Sequence, residues 1–340
     1  MLTIGYIANG KSTNRYHLPF VLKRKDKLKV KTIYSPNVLN SKWKKFEDIK
    51  YTSNINDILD DKEINLIVIC TKPELHYDYA KMALDKGKNV LVEKPFMINF
   101  DQAKEIFEYA KEKKLLLQCY QNRRYDSDFL TTKEVIKSGK LGDIIEVEMH
   151  FDYYRPEVPE NSTRFEPIES YLYGHASHTV DQAISFFGKP DKVVYDVRCL
   201  LGNNKMNDYF DLDLFYNNMK VSIKSSYFRI KKRPSFIVYG KKGMFIKETP
   251  DRQEEHLKMF YMPTNDDFGK DTLEQYGIIT YIDNNSTIHE EKVPTIDGDY
   301  GRVYDDLYDT IISGKESIVK EEETLSVMEI LENGIKSLYN

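Results

Sequence analysis

The stretch Thr3-Ile4-Gly5-Tyr6-Ile7-Ala8-Asn9-Gly10-Lys11-Ser12-Thr13 begins as a short apolar run and breaks into small and polar residues. Two readings compete for it. Gly5 to Ser12 satisfies G-x-x-x-x-G-K-[ST], the loop that wraps nucleotide phosphates, but Gly5 falls inside the apolar run and leaves only Ala8 to Lys11 for the loop. No apolar run ends in a magnesium-binding Asp either, because Leu66-Ile67-Val68-Ile69-Cys70 continues into Thr71. The alternative is a dinucleotide turn from strand to helix, with Ala8, Gly10 and Thr13 in the three glycine places of G-x-G-x-x-G. The surviving middle glycine is the one that lets backbone approach a pyrophosphate. Context favours this second reading.

Working outward, the first third alternates short apolar runs with amphipathic stretches, the signature of βαβ units around a parallel sheet. Strands are expected at Thr3 to Ile7, Leu28 to Tyr34, Asn65 to Cys70, Asn89 to Val92 and Leu115 to Cys119, with crossover helices near Glu74 to Asp85 and Asp101 to Lys113. After Asn122 the pattern changes. A helix, Asp126 to Ser138, precedes alternating segments at Ile144 to Tyr153, Val193 to Cys199, Asp211 to Tyr216 and Lys220 to Ser226. Alternation means half-solvated, mostly antiparallel strands. With one helix from His175 to Phe187 and a closing helix from Glu321 to Leu338, these suggest a second α+β domain. The expected fold class is α/β: residues 1–121 form a doubly wound Rossmann domain, and residues 122–340 an α+β domain. Val158 to Arg164 and Asn203 to Asp208 read as loops, the first as a lid over a site.

Length and composition bound the function. A chain of 340 residues suits two domains. The net charge is -4 and the basic residues are scattered, so no nucleic-acid partner is expected. Cys70, Cys119 and Cys199 lack metal-ligand spacing and are expected to be free, buried thiols; no metal is called for. No apolar run approaches the ~20 residues of a membrane helix and no leader precedes the first strand, so no membrane partner and a cytoplasmic location are expected.

Glu93-Lys94-Pro95 follows the apolar run Val90-Leu91-Val92, which places it where a parallel strand opens onto a ligand cleft. Alone, Lys94 reads equally as a solvated surface lysine; beside a low-dielectric ring its charge becomes useful. At the end of the second strand, where an acid would hold a ribose 2′-hydroxyl, the chain reads Tyr34-Ser35-Pro36-Asn37. Nothing there repels a 2′-phosphate. NADP is therefore as admissible as NAD, and slightly favoured, with Lys42, Lys44 and Lys45 either helping or forming a solvated face.

Taken together, the N-terminal turn, Thr71-Lys72-Pro73-Glu74-Leu75-His76, Gly87 to Pro95 and Gly174-His175-Ala176-Ser177-His178-Thr179-Val180-Asp181 resemble the glucose-fructose oxidoreductase/inositol dehydrogenase/rhizopine catabolism (Gfo/Idh/MocA) family. The resemblance extends through Tyr120 to Arg124, Tyr153 to Pro156 and Asp299 to Arg302, and is strongest to a bacterial subgroup that includes NADP-dependent scyllo-inositol dehydrogenases. It implies a Rossmann domain followed by a domain with a large open antiparallel sheet, which often forms subunit contacts and so suggests a homodimer or homotetramer. It also implies hydride transfer between a nicotinamide and a carbinol carbon of a polyol, inositol, sugar or sugar acid. The cofactor side would comprise Ala8, Asn9, Gly10, Lys11, Ser12, Ser35, Thr71, Pro73, His76, Glu93 and Lys94. Lys94 matches the lysine of the family's Glu-Lys-Pro motif and His178 its acid/base histidine.

One position departs from the pattern, because Gly174 stands where the family usually has an aspartate four residues before that histidine. On a helix His175, His178 and Asp181 share roughly one face. Asp181 then either orients His178 or ties the helix to a neighbouring loop, while His175 contacts substrate or simply packs. Arg123, Arg124, Tyr154 and Arg155 are candidate substrate contacts by their hydrogen-bonding forks and hydroxyl, though arginine pairs also brace domain junctions. His17 and His76 read as cofactor-loop or helix residues rather than acid/base groups. The rivals to a dehydrogenase are a cofactor-binding sensor that has lost turnover and an NAD-assisted glycoside cleavage enzyme.

Overall fold

In the computed structural model of the chain, six parallel strands form one sheet: β1 (Leu2–Ile7), β2 (Leu28–Tyr34), β3 (Lys50–Thr52), β4 (Leu66–Ile69), β5 (Asn89–Val92) and β6 (Leu117–Cys119), in the order β3-β2-β1-β4-β5-β6. Residues 1–38, 41–162, 166–202 and 204–339 are described. The strand order reverses between β1 and β4, which is the switch point where such sheets take their ligands. β4 is buried at every residue, as its unbroken apolar run requires of a central parallel strand. Gly5 lies within β1, and a Cβ there would fall 2.5 Å from Ile58 Cγ1. It is a packing glycine, which removes the first element of the phosphate-wrapping motif.

The chain divides into two compact units. The first comprises Met1–Asn122, Glu255–Phe268 and Tyr300–Met328, so it extends well beyond residue 121. The added segments supply core: Leu257 and Tyr300 pack with Phe20, and Tyr304 of the helix Arg302–Ser313 is fully buried. A Cβ on Gly301 would overlap the Arg24 guanidinium, whose Nε bonds Asp305 at 2.9 Å.

The second unit comprises Arg123–Glu254, Gly269–Asp299 and Glu329–Asn340. Its sheet contains β7 (Ile144–His150), β8 (Lys192–Arg198), β9 (Tyr209–Tyr216), β10 (Met219–Ser226), β11 (Phe236–Gly240), β12 (Gly243–Lys247), β13 (Gly277–Ile282) and β14 (Ile288–Val293), ordered β14-β13-β12-β11-β7-β10-β9-β8. Every pairing is antiparallel except β7 with β10. Val147, Leu212, Leu214, Val221, Val238, Phe245 and Ile279 share the buried face, while Val194, Phe215, Ile278 and charged residues occupy the other.

Several sequence expectations need correction. β3 and β14 escaped notice because edge strands such as Ile288-His289-Glu290-Glu291-Lys292-Val293 carry charge rather than an apolar run. β11, β12, β13 and the helix Arg302–Ser313 were also not expected. The supposed loop from Val158 contains a short helix, Glu157–Glu160, while Thr163 and Arg164 lie outside the described residues, as does Asn203 of the second loop. Cys70 and Cys119 are buried free thiols, but Cys199 is only half-buried because it follows the edge strand β8. Among the described residues no helix is long and apolar enough to cross a membrane.

Candidate active site

The turn after β1 has the form a dinucleotide requires. Ala8 holds φ +95°, a glycine-like conformation, in the place of the motif's first glycine. Thr13, in the third place, donates its hydroxyl to Ala8 O at 2.8 Å, and Asn14 Nδ2 donates to Asn9 Oδ1 and Gly10 O, each at 2.8 Å. A Cβ built on Gly10 meets nothing within 4 Å, so space over the turn is open to a pyrophosphate. Lys11 is exposed and Ser12 half-buried beside it. At the end of β2, Ser35 is half-buried with its backbone N–H bonded to Thr52 O at 3.0 Å.

Glu93, at the end of β5, joins the elements of this first unit. Its Oε1 accepts the Ser12 hydroxyl and lies 2.9 Å from His17 Nε2, while its Oε2 accepts the backbone N–H of Lys94 at 3.0 Å. One carboxylate therefore ties the dinucleotide turn to Lys94. Burial alone would raise its pKa, but bonds and charge from His17, then Ser12 and Lys94, outweigh that and hold it to about 2. His17 is its counterpart: burial alone would lower its pKa, yet the Cys70 sulfur and the Glu93 carboxylate lift it to about 9. Glu93 is ionised throughout the neutral range. With both ring nitrogens protonated, His17 Nδ1 donates to the Tyr304 hydroxyl at 2.6 Å, and that oxygen lies 2.9 Å from the Tyr6 hydroxyl. The Tyr120 ring covers the imidazole at 3.9 Å.

This buried chain was missed in the sequence, where His17 read only as a loop or helix residue. The available signal was Glu93 itself: an acid ending a buried strand demands a cation. Thr71 and Pro73 lie half-buried after β4. His76, buried, has Nδ1 within 3.1 Å of Pro95 O and 3.0 Å of Phe96 O, with Nε2 3.2 Å from Thr71 O. It braces the loops after β4 and β5, and burial first of all lowers its pKa.

In the second unit, Arg124 grips Asp181 in a fork, Nε to Oδ2 at 2.8 Å and Nη2 to Oδ1 at 2.6 Å, with both residues buried. Arg123 is likewise engaged, by Asp126 at 3.2 Å and by Glu254, and its guanidinium covers the Phe151 ring. His178 and Asp181 lie one turn apart on the helix Ser177–Phe187, both buried. Upstream, Leu172–Ala176 is a π-turn rather than α-helix, so His175 does not continue their spacing. Its ring sits among those of Tyr171, Tyr153, Tyr227 and Phe151, with centroids 4.3 to 5.8 Å away. Gly174 has open space where a Cβ would point. Tyr154 and Arg155 are exposed, Arg155 Nε lying 3.6 Å from Glu157. Lys94 thus belongs to the first unit and His178 to the second. Among the described residues no three or more His, Cys, Asp or Glu are grouped to hold a metal.

Comparison with known proteins identifies both halves. Residues 2–121 match the oxidoreductase family model described as an NAD-binding Rossmann fold, and residues 133–340 match that family's C-terminal alpha/beta domain. Uncharacterized oxidoreductase YhhX of Escherichia coli K12 is 46% identical over 99% of this chain and 96% of its own length. The scyllo-inositol 2-dehydrogenase (NADP(+)) IolW of Bacillus subtilis is 31% identical over 99% of this chain and 93% of its own. The crystal structure of YhhX superposes with a TM-score of 0.94 at 45% identity, covering 99% of this chain and 97% of that one.

Proposed function

Because the chain belongs to the Gfo/Idh/MocA family of oxidoreductases, we propose that it interconverts a secondary alcohol and its ketone on a polyol, inositol, sugar or sugar acid. The observation that carries this reading is the Glu93 carboxylate, which bonds the dinucleotide turn through Ser12 and the backbone of Lys94 on its other oxygen. A bound nicotinamide dinucleotide supplies hydride acceptance or donation at the carbinol carbon.

The protein's own groups handle the proton and the charge. In the oxidative direction His178 takes the hydroxyl proton, and the Lys94 ammonium stabilises the alkoxide as it develops. Asp181 is fixed by the Arg124 fork, and we assign to it the orienting of the His178 ring. Two oxygens offer about four acceptor sites, so the fork leaves the carboxylate capacity for that task. Arg123, Arg124, Tyr154, Arg155 and the aromatic-ringed His175 constitute the substrate side. NADP is favoured because Ser35 presents no carboxylate to a 2′-phosphate, and the NADP-dependent relative IolW agrees in direction. We assign the solvated sheet face carrying Val194, Phe215 and Ile278 to contacts in a homodimer or homotetramer, and the protein to the cytoplasm.

The sensor reading rests on the absent side chain at Gly174 and on Ala8 in the place of the turn's first glycine. A turnover screen with NAD and NADP against inositols, aldoses and their acids separates the two. Reduction of either cofactor with any of these establishes the enzyme; tight cofactor binding without turnover on all of them establishes the sensor.

A further inference from the structure

A cavity of about 760 Å³ in the first unit is not used by the proton and hydride chemistry above. Its walls include Leu18 and Leu22 of the helix Leu18–Leu22, Trp43 and Phe46 of the segment before β3, and Phe260 and Met262 of Glu255–Phe268. The cofactor-turn residues Ala8 to Ser12, and Ser35, Glu93 and Lys94, do not line it, while Lys42 and Lys44, which the sequence offered either to the cofactor or to a solvated face, do. The volume is that of a small-molecule site rather than a packing void.

Three features of the walls specify a ligand. They are predominantly apolar and aromatic, while the ionisable groups among the lining residues are Lys23, Lys42 and Lys44, with no carboxylate among them. Arg15 lies over both rings, its guanidinium carbon 4.6 Å from the Phe260 centroid and 6.0 Å from that of Trp43. Cation–π attraction of that kind fixes two flat surfaces as one wall. Phe260 itself is 56% exposed and holds φ +58°, a conformation bulky L residues rarely adopt. That φ closes the helix Gln253–Lys258, with Tyr261 N–H bonded to His256 O at 2.9 Å and Phe260 N–H to Leu257 O at 3.2 Å, and it sets the exposed ring in the cavity wall.

We propose that this cavity is a ligand site for a flat aromatic anion, separate from the dinucleotide turn. Stacking on Trp43 and Phe260 supplies area, and the lysines at its rim supply charge complementarity. The two sites are nevertheless joined, because Asn14 both lines the cavity and donates to Asn9 and Gly10 of the turn.

Trp43 is the chain's only tryptophan, so its fluorescence reports occupancy directly. The probe is 8-anilinonaphthalene-1-sulfonate, titrated with NADP⁺ at saturation so that the dinucleotide site is filled. The expected result is saturable quenching of Trp43 at one probe per chain, about fivefold weaker binding of the uncharged N-phenyl-1-naphthylamine, and a loss of about tenfold for the sulfonate alone in Lys42→Glu/Lys44→Glu. Phe260→Ala should weaken both probes. Three results would overturn the proposal: no saturable quenching under saturating NADP⁺, equal affinity for the charged and uncharged probes, or sulfonate binding unchanged by the charge reversal.

Discussion

Replacing Glu93 with Gln keeps the size of the side chain and removes the anion that the buried His17 faces at 2.9 Å. The folded-state pKa of His17 is raised from 6.5 to about 9, so its contribution to stability is full below pH 6.5 and is lost as pH rises through 9. The Glu93 pKa is lowered from 4.5 to about 2, so its contribution is present above pH 4.5 and lost as pH falls through 2. The two shifts share the His17–Glu93 attraction and are not added. At pH 7 the His17 shift corresponds to roughly 2 pH units, about 3 kcal/mol at 1.36 kcal/mol per unit. The Cys70 sulfur is the larger cause of that rise and Glu93 the smaller, so in Glu93→Gln the His17 midpoint should fall and a part of that stability, less than the whole, should disappear at pH 7. The deficit should shrink as pH approaches 9, where the native protein loses its own protonated form. Urea unfolding followed by Trp43 fluorescence reads the first unit alone, which matters because a two-unit chain need not unfold in one step. Nitrogen-15 histidine NMR locates the His17 midpoint, and Cys70→Ala measures the sulfur's share. A deficit constant from pH 6.5 to 9.5, or a native His17 midpoint at or below 6.5, would refute the reasoning.

Other predictions concern turnover and binding. Ser35→Asp should shift preference from NADPH toward NADH, and the native preference should weaken with salt; an unchanged affinity ratio would place adenosine recognition elsewhere. Lys94→Ala and His178→Ala should each depress turnover by roughly 10²- to 10⁴-fold with unchanged circular dichroism, and full activity in either removes that residue from the mechanism. Gly174→Asp has open space for its side chain and should raise activity if the family carboxylate is wanted, whereas Asp181→Asn should change the pH profile if Asp181 does that work. Arg124→Ala leaves a buried carboxylate without its fork and should cost about 3–5 kcal/mol in the second unit, read by hydrogen exchange on the helix Ser177–Phe187.

The parts legible in the sequence were those with a local physical signal. The Leu66 to Cys70 run and Ala8-Asn9-Gly10 placed the parallel sheet and its turn because burial on both faces and tight turns each constrain short stretches. The second sheet was half legible: alternation revealed β7 to β10, but β14 is an exposed charged edge, and three-residue β3 exists only through its pairing with Thr32 to Tyr34. For the site, Lys94 and His178 stood out by motif, while Tyr304 is 287 residues from the His17 it bonds. No local pattern carries a contact made by chain return. The Arg124 fork on Asp181 is of the same kind: the residue types suggested binding, and only the fold chose the partner.

That chain return also sets an order of events in the cell. The first unit needs Leu257, Tyr300 and Tyr304 to finish its core and to satisfy His17. A ribosome adding about 5–20 residues per second leaves an interval on the order of ten to forty seconds between residue 122 and residue 304. During that time the nascent dinucleotide unit has its sheet strands but lacks the tyrosine hydroxyl that pairs with its buried imidazole. Cofactor binding at the emerging turn would hold the unfinished domain together, whereas heat shock or a cofactor-starved cell would leave it open to chaperones and proteases. Fragments ending near residue 121 should therefore behave as folding intermediates, not as free-standing nucleotide-binding modules.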